Sequence, residues 1–248
     1  MSILKPTYHS IDNKSSRDII MECGADEAGV GCLAGPVVSA AVIWPYEIDE
    51  EYRECEEYML LKDSKKLTEK QRERVKDFIE AIAIDFNVSF VNNVQVDKLN
   101  IRNARFLSMR NAIDGLSIVP EFLLIDGDVF PDSNKLNKDI PHKCIVGGDN
   151  LYQSIAAASI LAKCARDEYM IELSKKYPDY NWESNKGYGT KGHYLAIQKH
   201  GKTPYHRESF NLNIAKTSHM SKRKSKKANN LDKCILDDSD SEEETVVD

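Results

Sequence analysis

The chain has 248 residues, of which 41% are hydrophobic, and its 34 Lys and Arg against 40 Asp and Glu give a net charge of −6. Such a chain can bury one substantial core, which excludes a disulfide-stapled miniprotein and a disordered polymer. The acidic balance excludes a uniformly basic nucleic-acid-binding protein, so any contact with nucleic acid has to be local. No run of 18 apolar residues occurs, which excludes a membrane-spanning helix and predicts a protein without membrane contact.

The two ends of the chain differ in composition from its middle. Residues 1–17 show little periodicity and are predicted to form an N-terminal extension on the surface. After residue 216 a basic run is followed by an acidic end, and such charge blocks lack the apolar area that chain ordering requires. The sequence therefore predicts one domain over 18–215 and a disordered tail over 216–248. The basic run suits a contact with a nucleic-acid backbone, a nuclear localisation signal or a solvated tail.

The cysteines carry information about the compartment. Six are present, with no C-x-x-C pair and no histidine at metal-ligand spacing, and the chain begins without a secretory signal pattern. This usage predicts reduced thiols in a cytoplasmic protein, or in a nuclear one if the basic run is a localisation signal.

Short apolar runs alternate with helical patterns along the middle of the chain, which predicts an α/β fold. Residues 19–25 and 36–44 are predicted as neighbouring strands. Thr68 and Gln71 form a capping box that predicts the start of a helix. The later elements are predicted as a strand over 87–91, a helix over 101–114 closed by Gly115, a strand over 121–125, a short apolar run over 144–146, a long helix from about residue 150 to 169 or beyond, and a helix over 192–200 that ends at Gly201.

Acidic residues stand at the ends of apolar runs rather than on helix faces. Asp26 and Glu27 stand at the end of the first predicted strand, and Asp126 stands at the end of the apolar run over 122–125. A carboxylate beside buried backbone costs several kcal/mol unless it is paired or bound to a metal ion. Each acid alone could lie in a solvated turn, and Asp149 could cap the long helix, but together they favour a cation. Oxygen-only ligands favour Mg²⁺ or Mn²⁺.

The segment from Gly29 to Ala34 fits the pattern G-x-G-x-x-A, a weak signal for dinucleotide binding. That signal requires a helix directly after the glycines, whereas residues 36–44 read as a strand. The glycines are therefore predicted to form a tight turn between two strands, which brings backbone N–H groups close to a ligand.

Five blocks of sequence, taken together, resemble the ribonuclease HII family, in particular its bacterial branch. They are DEAGVGCLAGPVVSAAV at 26–42, KDSKKLT at 62–68, LIDG at 124–127, GDNLYQSIAAASILAKCARD at 148–167, and NKGYGTKGH with TPYHRESF within 185–210. The resemblance implies an RNase H-like fold, with a mixed central sheet flanked by helices and a helical C-terminal portion. It implies hydrolysis of the RNA strand of RNA/DNA hybrids and of ribonucleotides embedded in duplex DNA.

The resemblance also implies the reacting residues. The family's four acidic positions match Asp26, Glu27, Asp126 and Asp149, which would hold two Mg²⁺ or Mn²⁺ ions, with Asp26 as the bridging ligand. The implied cut lies on the 5′ side of the ribonucleotide and leaves a 3′-hydroxyl and a 5′-phosphate. Asp167 matches a recurrent family position as well and is interpreted as a structural partner.

Substrate contacts are implied at a turn, a tyrosine and a lysine-rich block. The backbone of Gly29, Val30 and Gly31 would sense the 2′-hydroxyl, which distinguishes RNA from DNA. Tyr188 would stack under the neighbouring deoxyribose. Ser64 and Lys65 would contact phosphate.

Two departures from the family pattern remove positive charge. Val30 stands where the family usually has arginine, and Gly147 stands where bacterial relatives often have lysine. These changes predict weaker or less selective binding at an RNA-to-DNA junction. The alternatives are an inactive nucleic-acid-binding module and another nuclease on the same fold, and the protein is expected to be a monomer.

Overall fold

The computed structural model describes residues 4–9, 20–61, 67–130 and 140–212. The predicted tail at 216–248 lies outside the described residues, as do the predicted phosphate contacts Ser64 and Lys65. No helix within the described ranges is long and apolar enough to cross a membrane.

A mixed sheet of five strands forms the centre of the fold and confirms the predicted fold class. The strands are β1 (Glu22–Ala28), β2 (Val37–Ile43), β3 (Asp85–Val91), β4 (Phe122–Asp126) and β5 (His142–Ile145). They lie in the order β3-β2-β1-β4-β5. β2 pairs antiparallel with β1 and β3, whereas β4 pairs parallel with β1 and β5.

Eight helices in the described residues surround this sheet. They are α1 (Glu50–Arg53), α2 (Glu56–Leu60), α3 (Glu69–Ile82), α4 (Asn93–Leu99), α5 (Ile101–Asp114), α6 (Gln153–Lys176), α7 (Trp182–Asn185) and α8 (Lys191–His200). α6 packs on one face of the sheet together with α3, and α5 packs on the other.

Strand alternation assigns the residues of β1 to these two faces. Successive side chains of a strand point to opposite faces. Cys23 and Ala25 belong to the apolar cluster that contains α5 residues. Gly24 faces α6, where a Cβ atom would overlap the backbone of Ser154. The small residues of α6 therefore allow that helix to pack directly against the strand that carries Asp26.

The boundaries of β1 and α6 correct two expectations about the acids. β1 continues to Ala28 because it pairs with β2 as far as Val38, so Asp26 and Glu27 lie within the strand rather than after it. Asp149 is not the N-cap of α6, since that position is Tyr152. Asp149 lies in a 3-10 turn over Gly148–Asn150 that precedes the helix.

The first described residues lie against the segment that leads into α6. Leu4 is buried. The N–H of Lys5 donates to the carbonyl of Leu151 at 2.8 Å, and the N–H of Gln153 donates to the carbonyl of Lys5 at 3.0 Å. Lys5 thus pairs with the segment that joins the 3-10 turn to α6, while the side chains of Lys5, Pro6 and Tyr8 are exposed. The extension predicted over 1–17 stays a prediction.

Candidate active site

Asp26 and Asp126 occupy neighbouring positions at one end of the sheet. Ala25 of β1 pairs in parallel register with Ile125 of β4, so the next residue on each strand is an aspartate. Residues in register on adjacent strands lie about 4.8 Å apart, and their side chains leave the same face. Gly24, two residues before Asp26 on β1, faces Ser154 and Ile155 of α6, so Asp26 points to the face covered by α6.

The turn that carries Asp149 is held against Asp126. The N–H of Gly148 donates to Oδ1 of Asp126 at 2.7 Å. A Cβ atom on Gly148 would lie 2.5 Å from the side chain of Ile155, so only glycine allows the turn to approach α6 this closely. Asp149 is buried, and its Oδ1 accepts a hydrogen bond from Nδ2 of Asn150 at 2.7 Å.

Glu27 directly follows Asp26, and alternation directs its side chain to the α5 face. Arg105 of α5 lies there, with its Nε 3.1 Å from Oε1 of Glu27. Nη2 of Arg105 also donates to the carbonyl of Asp126 at 3.3 Å. The other carboxylate oxygen of Glu27, Oε2, is buried and has no hydrogen-bond partner among the described residues.

The local environment opposes ionisation of these acids. Burial is the main cause that raises the pKa of Asp26 well above its usual range, and the charges of Glu27 and Asp126 add to it. Burial likewise raises the pKa of Glu27 to about 7; Arg105 lowers it and Asp126 raises it further. A bound cation would relieve both the burial of charge and the mutual repulsion.

The carboxylates have the chemistry of a metal site, although they do not yet surround one point. Within the described ranges, no three Asp, Glu, His or Cys side chains stand close enough together to hold a metal ion. Glu27 contributes a buried oxygen that lacks a partner among those residues. The donors are all carboxylate oxygens, which suit Mg²⁺ or Mn²⁺. The residues therefore fit a divalent cation, which would have to draw the side chains together.

A glycine turn follows the acids of β1, as predicted. Gly29 has φ of +90°, in a region that favours glycine, and its carbonyl accepts from the N–H of Cys32 at 3.4 Å. Gly31 is exposed and Val30 is partly exposed. The three predicted turn residues line a cavity of about 390 Å³, together with Glu27 and Tyr188.

Tyr188 lies beside this turn because its backbone pairs with the chain that leaves it. Cys32 and Tyr188 form an isolated antiparallel bridge. The ring of Tyr188 is 41% exposed. Two cations flank it, with Nζ of Lys163 5.7 Å and Cζ of Arg166 5.6 Å from the ring centre. An aromatic face is thus presented to the cavity on a rigid support.

Asp167 holds cations at the edge of the same cavity. Its Oδ1 lies 2.6 Å from Nζ of Lys163, and its Oδ2 lies 3.5 Å from Nη1 of Arg72. Lys163 and Arg72 both line the cavity. These contacts agree with the interpretation of Asp167 as a structural partner.

A chain of buried hydrogen bonds fixes the backbone of Tyr188. The N–H of Thr203 donates to Nδ1 of His206 at 2.8 Å, which leaves the proton of neutral His206 on Nε2. That Nε2 lies 3.1 Å from Nε2 of His193, which also accepts from Nε1 of Trp182 at 3.0 Å. Nδ1 of His193 then donates to the carbonyl of Tyr188 at 2.9 Å. Two neutral histidines therefore connect the C-terminal block to the cavity.

Sequence reasoning missed four residues of this site. Ser159 and Arg105 contact the acids, while Arg166 and Arg207 donate to carbonyls of the glycine turn and the chain after it. Arg166 and Arg207 lie in two of the sequence blocks that resemble the family, at 148–167 and within 185–210. Their places in those blocks could have identified them as site residues. Arg105 had no such signal, because an arginine on an amphipathic helix reads as a surface charge.

A second cavity, of about 410 Å³, lies elsewhere and is mainly apolar. It is lined by residues of the 4–6 and 46–61 segments with Gln153, and it includes none of the predicted site residues. The chemistry therefore belongs to the cavity beside the carboxylates.

A mixed sheet of this order, with the buried Asp26 and the partly exposed Asp126 at the end of adjacent parallel strands and a cleft beside them, defines the class of nucleases with a ribonuclease H-like fold. Comparison with known proteins gives the family within that class. The family model described as Ribonuclease HII matches residues 23–213. The ribonuclease HII of Phocaeicola vulgatus is 52% identical over 197 residues, which are 79% of this chain and 92% of that protein.

Solved structures of other proteins share the fold, among them those of two archaeal ribonucleases. The crystal structure of ribonuclease H2 from Pyrococcus horikoshii matches with a TM-score of 0.66 at 26% identity, over 80% of this chain and 97% of that one. The ribonuclease HII in a complex with PCNA from Archaeoglobus fulgidus matches with a TM-score of 0.64 at 27% identity, over 78% and 96%.

The chain belongs to the ribonuclease HII family, of the bacterial type. It is a ribonuclease H, an endonuclease that acts on RNA/DNA hybrids, and the family depends on divalent metal ions. The relatives named here are bacterial and archaeal, so they lend no support to the nuclear interpretation of the basic run.

Proposed function

We propose that this ribonuclease H cuts the RNA strand of RNA/DNA hybrids and also cuts at single ribonucleotides embedded in duplex DNA. The cut lies on the 5′ side of the ribonucleotide and leaves a 3′-hydroxyl and a 5′-phosphate. One observation carries the proposal: the buried Asp26 and the partly exposed Asp126 lie side by side at the end of the sheet from which the glycine turn emerges. A phosphodiester at the acids therefore places its ribose near the turn.

Four acids would hold the metal ions. Asp26, Glu27, Asp126 and Asp149 supply only carboxylate oxygens, and Asp26 is the proposed bridge between two Mg²⁺ or Mn²⁺ ions. When bound, the ions supply an activated water and neutralise charge on the phosphate and the leaving 3′ oxygen. The raised pKa values of Asp26 and Glu27 support this proposal, because buried acids that repel one another favour a cation.

Other residues would recognise the substrate. The backbone N–H groups of the turn at 29–31 are suited to the 2′-hydroxyl, the group that separates RNA from DNA. Tyr188 offers a partly exposed face on which the neighbouring deoxyribose can stack. Ser64 and Lys65 are proposed phosphate contacts on the resemblance alone. Lys163 and Arg72 add positive charge at the edge of the cavity.

The alternatives account for the site less well. An inactive binding module has no reason to keep four acids when the surroundings of two of them, Asp26 and Glu27, oppose their ionisation. Another nuclease on the same fold does not need a turn with backbone donors beside Tyr188. Family membership over residues 23–213 favours the ribonuclease HII activity over both.

The test uses labelled duplexes that contain one ribonucleotide, four ribonucleotides or none, with Mg²⁺ or Mn²⁺. The wild type is expected to cut the first two on the 5′ side of a ribonucleotide and to leave the third intact. Asp126→Asn should lower the rate at least about 100-fold, since even the loss of an outer partner of a metal ligand costs up to that much. Asp128→Asn, an exposed neighbour, is the control and should retain the activity.

Two results would overturn the proposal. One is equal cutting of the all-DNA duplex by the wild type. The other is full activity in Asp126→Asn. Mapping the ends of the products checks the predicted 3′-hydroxyl and 5′-phosphate in the same reactions.

A further inference from the structure

Arg207 lies beneath the glycine turn and donates only to backbone carbonyls. Its Nη1 donates to the carbonyl of Val30 at 2.9 Å, and its Nη2 donates to that of Gly29 at 2.8 Å. Its Nε and Nη2 also donate to the carbonyls of Gly35 and Pro36, each at 3.1 Å. The side chain is 1% exposed. The buried guanidinium thus bonds to four backbone carbonyls and fixes the conformation of the turn.

These bonds determine where the N–H groups of the turn point. In a trans peptide, the C=O and the N–H of one peptide plane point in opposite directions. Because the carbonyls of Gly29 and Val30 face Arg207, the N–H groups of Val30 and Gly31 point away from it. Among the residues that the structure describes, neither N–H donates a hydrogen bond to another residue. Both residues line the cavity, so two adjacent donors face it.

A second arginine holds the other side of the turn. Arg166 donates to the carbonyls of Ala34 and Pro36, each at 3.1 Å, and to that of Lys186 at 2.8 Å. A Cβ atom on Gly29 would overlap its Nε. Arg166 therefore ties the turn to the segment that leads into the substrate-facing tyrosine.

The positive charge beneath the turn is not neutralised by direct contact with an acid. Within the described part of the chain, neither Arg166 nor Arg207 forms an ion pair with a carboxylate. Burial lowers the pKa of Arg207 to about 10, which leaves it charged at neutral pH. A charge in a low-dielectric interior strengthens nearby hydrogen-bond donors toward an electron-rich oxygen. Val30 itself carries no charge, so Arg166 and Arg207 supply positive charge from beneath the turn, in addition to Lys163 and Arg72 at the edge of the cavity.

We propose that Arg207 is a positioning residue for ribonucleotide recognition. It aims the N–H groups of Val30 and Gly31 into the cleft as a donor pair for the 2′-hydroxyl oxygen, and its buried charge strengthens that pair. The inference rests on the proposed function and adds the group that makes the turn selective.

The test compares the wild type with Arg207→Lys in the presence of Mg²⁺. Two duplexes are used that differ only in one central nucleotide, ribo in one and deoxy in the other. The KM for the ribonucleotide duplex is measured, together with the inhibition constant Ki of the all-DNA duplex as a competitor. Lysine keeps the charge but cannot hold two carbonyls with a planar fork. Arg74→Lys is the control, because Arg74 pairs with Glu56 and Glu57 on the surface.

We expect the ratio of Ki to KM to fall at least fivefold in Arg207→Lys through a higher KM, with Ki changed less than twofold. A merely structural role would reduce the amount of active enzyme and leave the ratio unchanged, which would overturn the inference. If the wild type itself shows no preference for the ribonucleotide duplex, the proposed function fails as well. If the wild type has the preference and Arg207→Lys keeps it, only this inference fails.

A second measurement covers the case in which Arg207→Lys does not fold. The amide resonances of Val30 and Gly31 in the wild type are followed by NMR while either duplex is added without divalent metal. The ribonucleotide duplex should shift both amide protons more than the all-DNA duplex does. Equal shifts with the two duplexes would overturn the inference.

Discussion

Two glycines of one turn serve different physical purposes. Gly29 has φ of +90°, and the space for a Cβ atom is taken by Arg166. Gly31 has no positive φ, and nothing lies within 4 Å of an added Cβ atom. Gly29 is therefore required by the fold of the turn, whereas Gly31 leaves its N–H accessible from the cavity.

Substitution of each glycine by alanine separates the two purposes. Gly29→Ala should lower the free energy of unfolding by at least about 2 kcal/mol, because the backbone strain alone costs about 1–3 kcal/mol and Arg166 has to move. Gly31→Ala is the matched control and should change it by less than about 0.5 kcal/mol. Urea denaturation measures both values. Equal losses in the two variants would contradict the assignment.

The element that supports Tyr188 consists of α8 and the loop after it. Burial lowers the pKa of His193, and it lowers the pKa of His206 to about 4, with the neighbouring His193 adding to the effect. A proton on Nδ1 of His206 would face the N–H of Thr203, so that two donors would oppose each other. The element therefore requires neutral histidines.

This requirement predicts a dependence of stability on pH. The pKa of His206 is lower in the folded chain than its ordinary value of 6.5, so the unfolded chain binds more protons between pH 6.5 and 4. The contribution of His206 is fully present above pH 6.5 and is lost as the pH falls to 4, by about 3 kcal/mol in all.

The measurement is the free energy of unfolding at pH 7.5 and at pH 4.5 in the wild type and in His206→Gln. The loss between the two pH values should be smaller in the variant. His200→Gln, at a partly exposed histidine of α8, is the control and should follow the wild type. Identical losses in all three proteins would show that His206 titrates normally.

At the scale of the whole molecule, the sheet gathers acids that destabilise one another. Asp26 and Glu27 come from β1, Asp126 from β4 and Asp149 from the 3-10 turn. Burial and like charge raise the pKa of Asp26, so the ionised cluster costs free energy in the absence of metal. A site of this kind lowers the stability of the metal-free fold and favours the binding of a cation.

Thermal unfolding should reveal this loss of stability in the metal-free protein. Without divalent metal, Asp126→Asn should raise the Tm by at least about 2 °C, because one charge leaves the cluster and each kcal/mol is worth about 2–4 °C at this size. Asparagine keeps the oxygen that accepts from Gly148. In the wild type, Mn²⁺ at a concentration 100 times its Kd should stabilise the fold by about 2.7 kcal/mol.

Asp126→Asn should lose most of that increase, whereas Asp128→Asn should behave as the wild type. Calorimetry with and without Mn²⁺ gives the increase in Tm for each of the three proteins. The scans without metal also give the difference in Tm between Asp126→Asn and the wild type. An equal increase in Asp126→Asn and the wild type would mean that the ion binds without this carboxylate.

Local patterns predicted most of the fold. The strand at β2, the capping box of Thr68 and Gln71 and the end of α5 at Gly115 are confirmed. α4 was missed although Asn92 and Gln95 form a capping box, because a helix of seven residues carries little periodicity. Such signals are read from neighbours along the chain, and so they require no knowledge of the fold.

The sequence by itself determined the class of sheet, the family and the acids that the family would use. Only the tertiary structure decided that Arg105 stands against Glu27, that the turn before α6 holds Asp126, and that Arg207 directs the carbonyls of a turn 177 and 178 residues earlier in the chain. A strand or a cap is a local preference, whereas the direction of a carbonyl toward a buried guanidinium exists only after distant segments have packed.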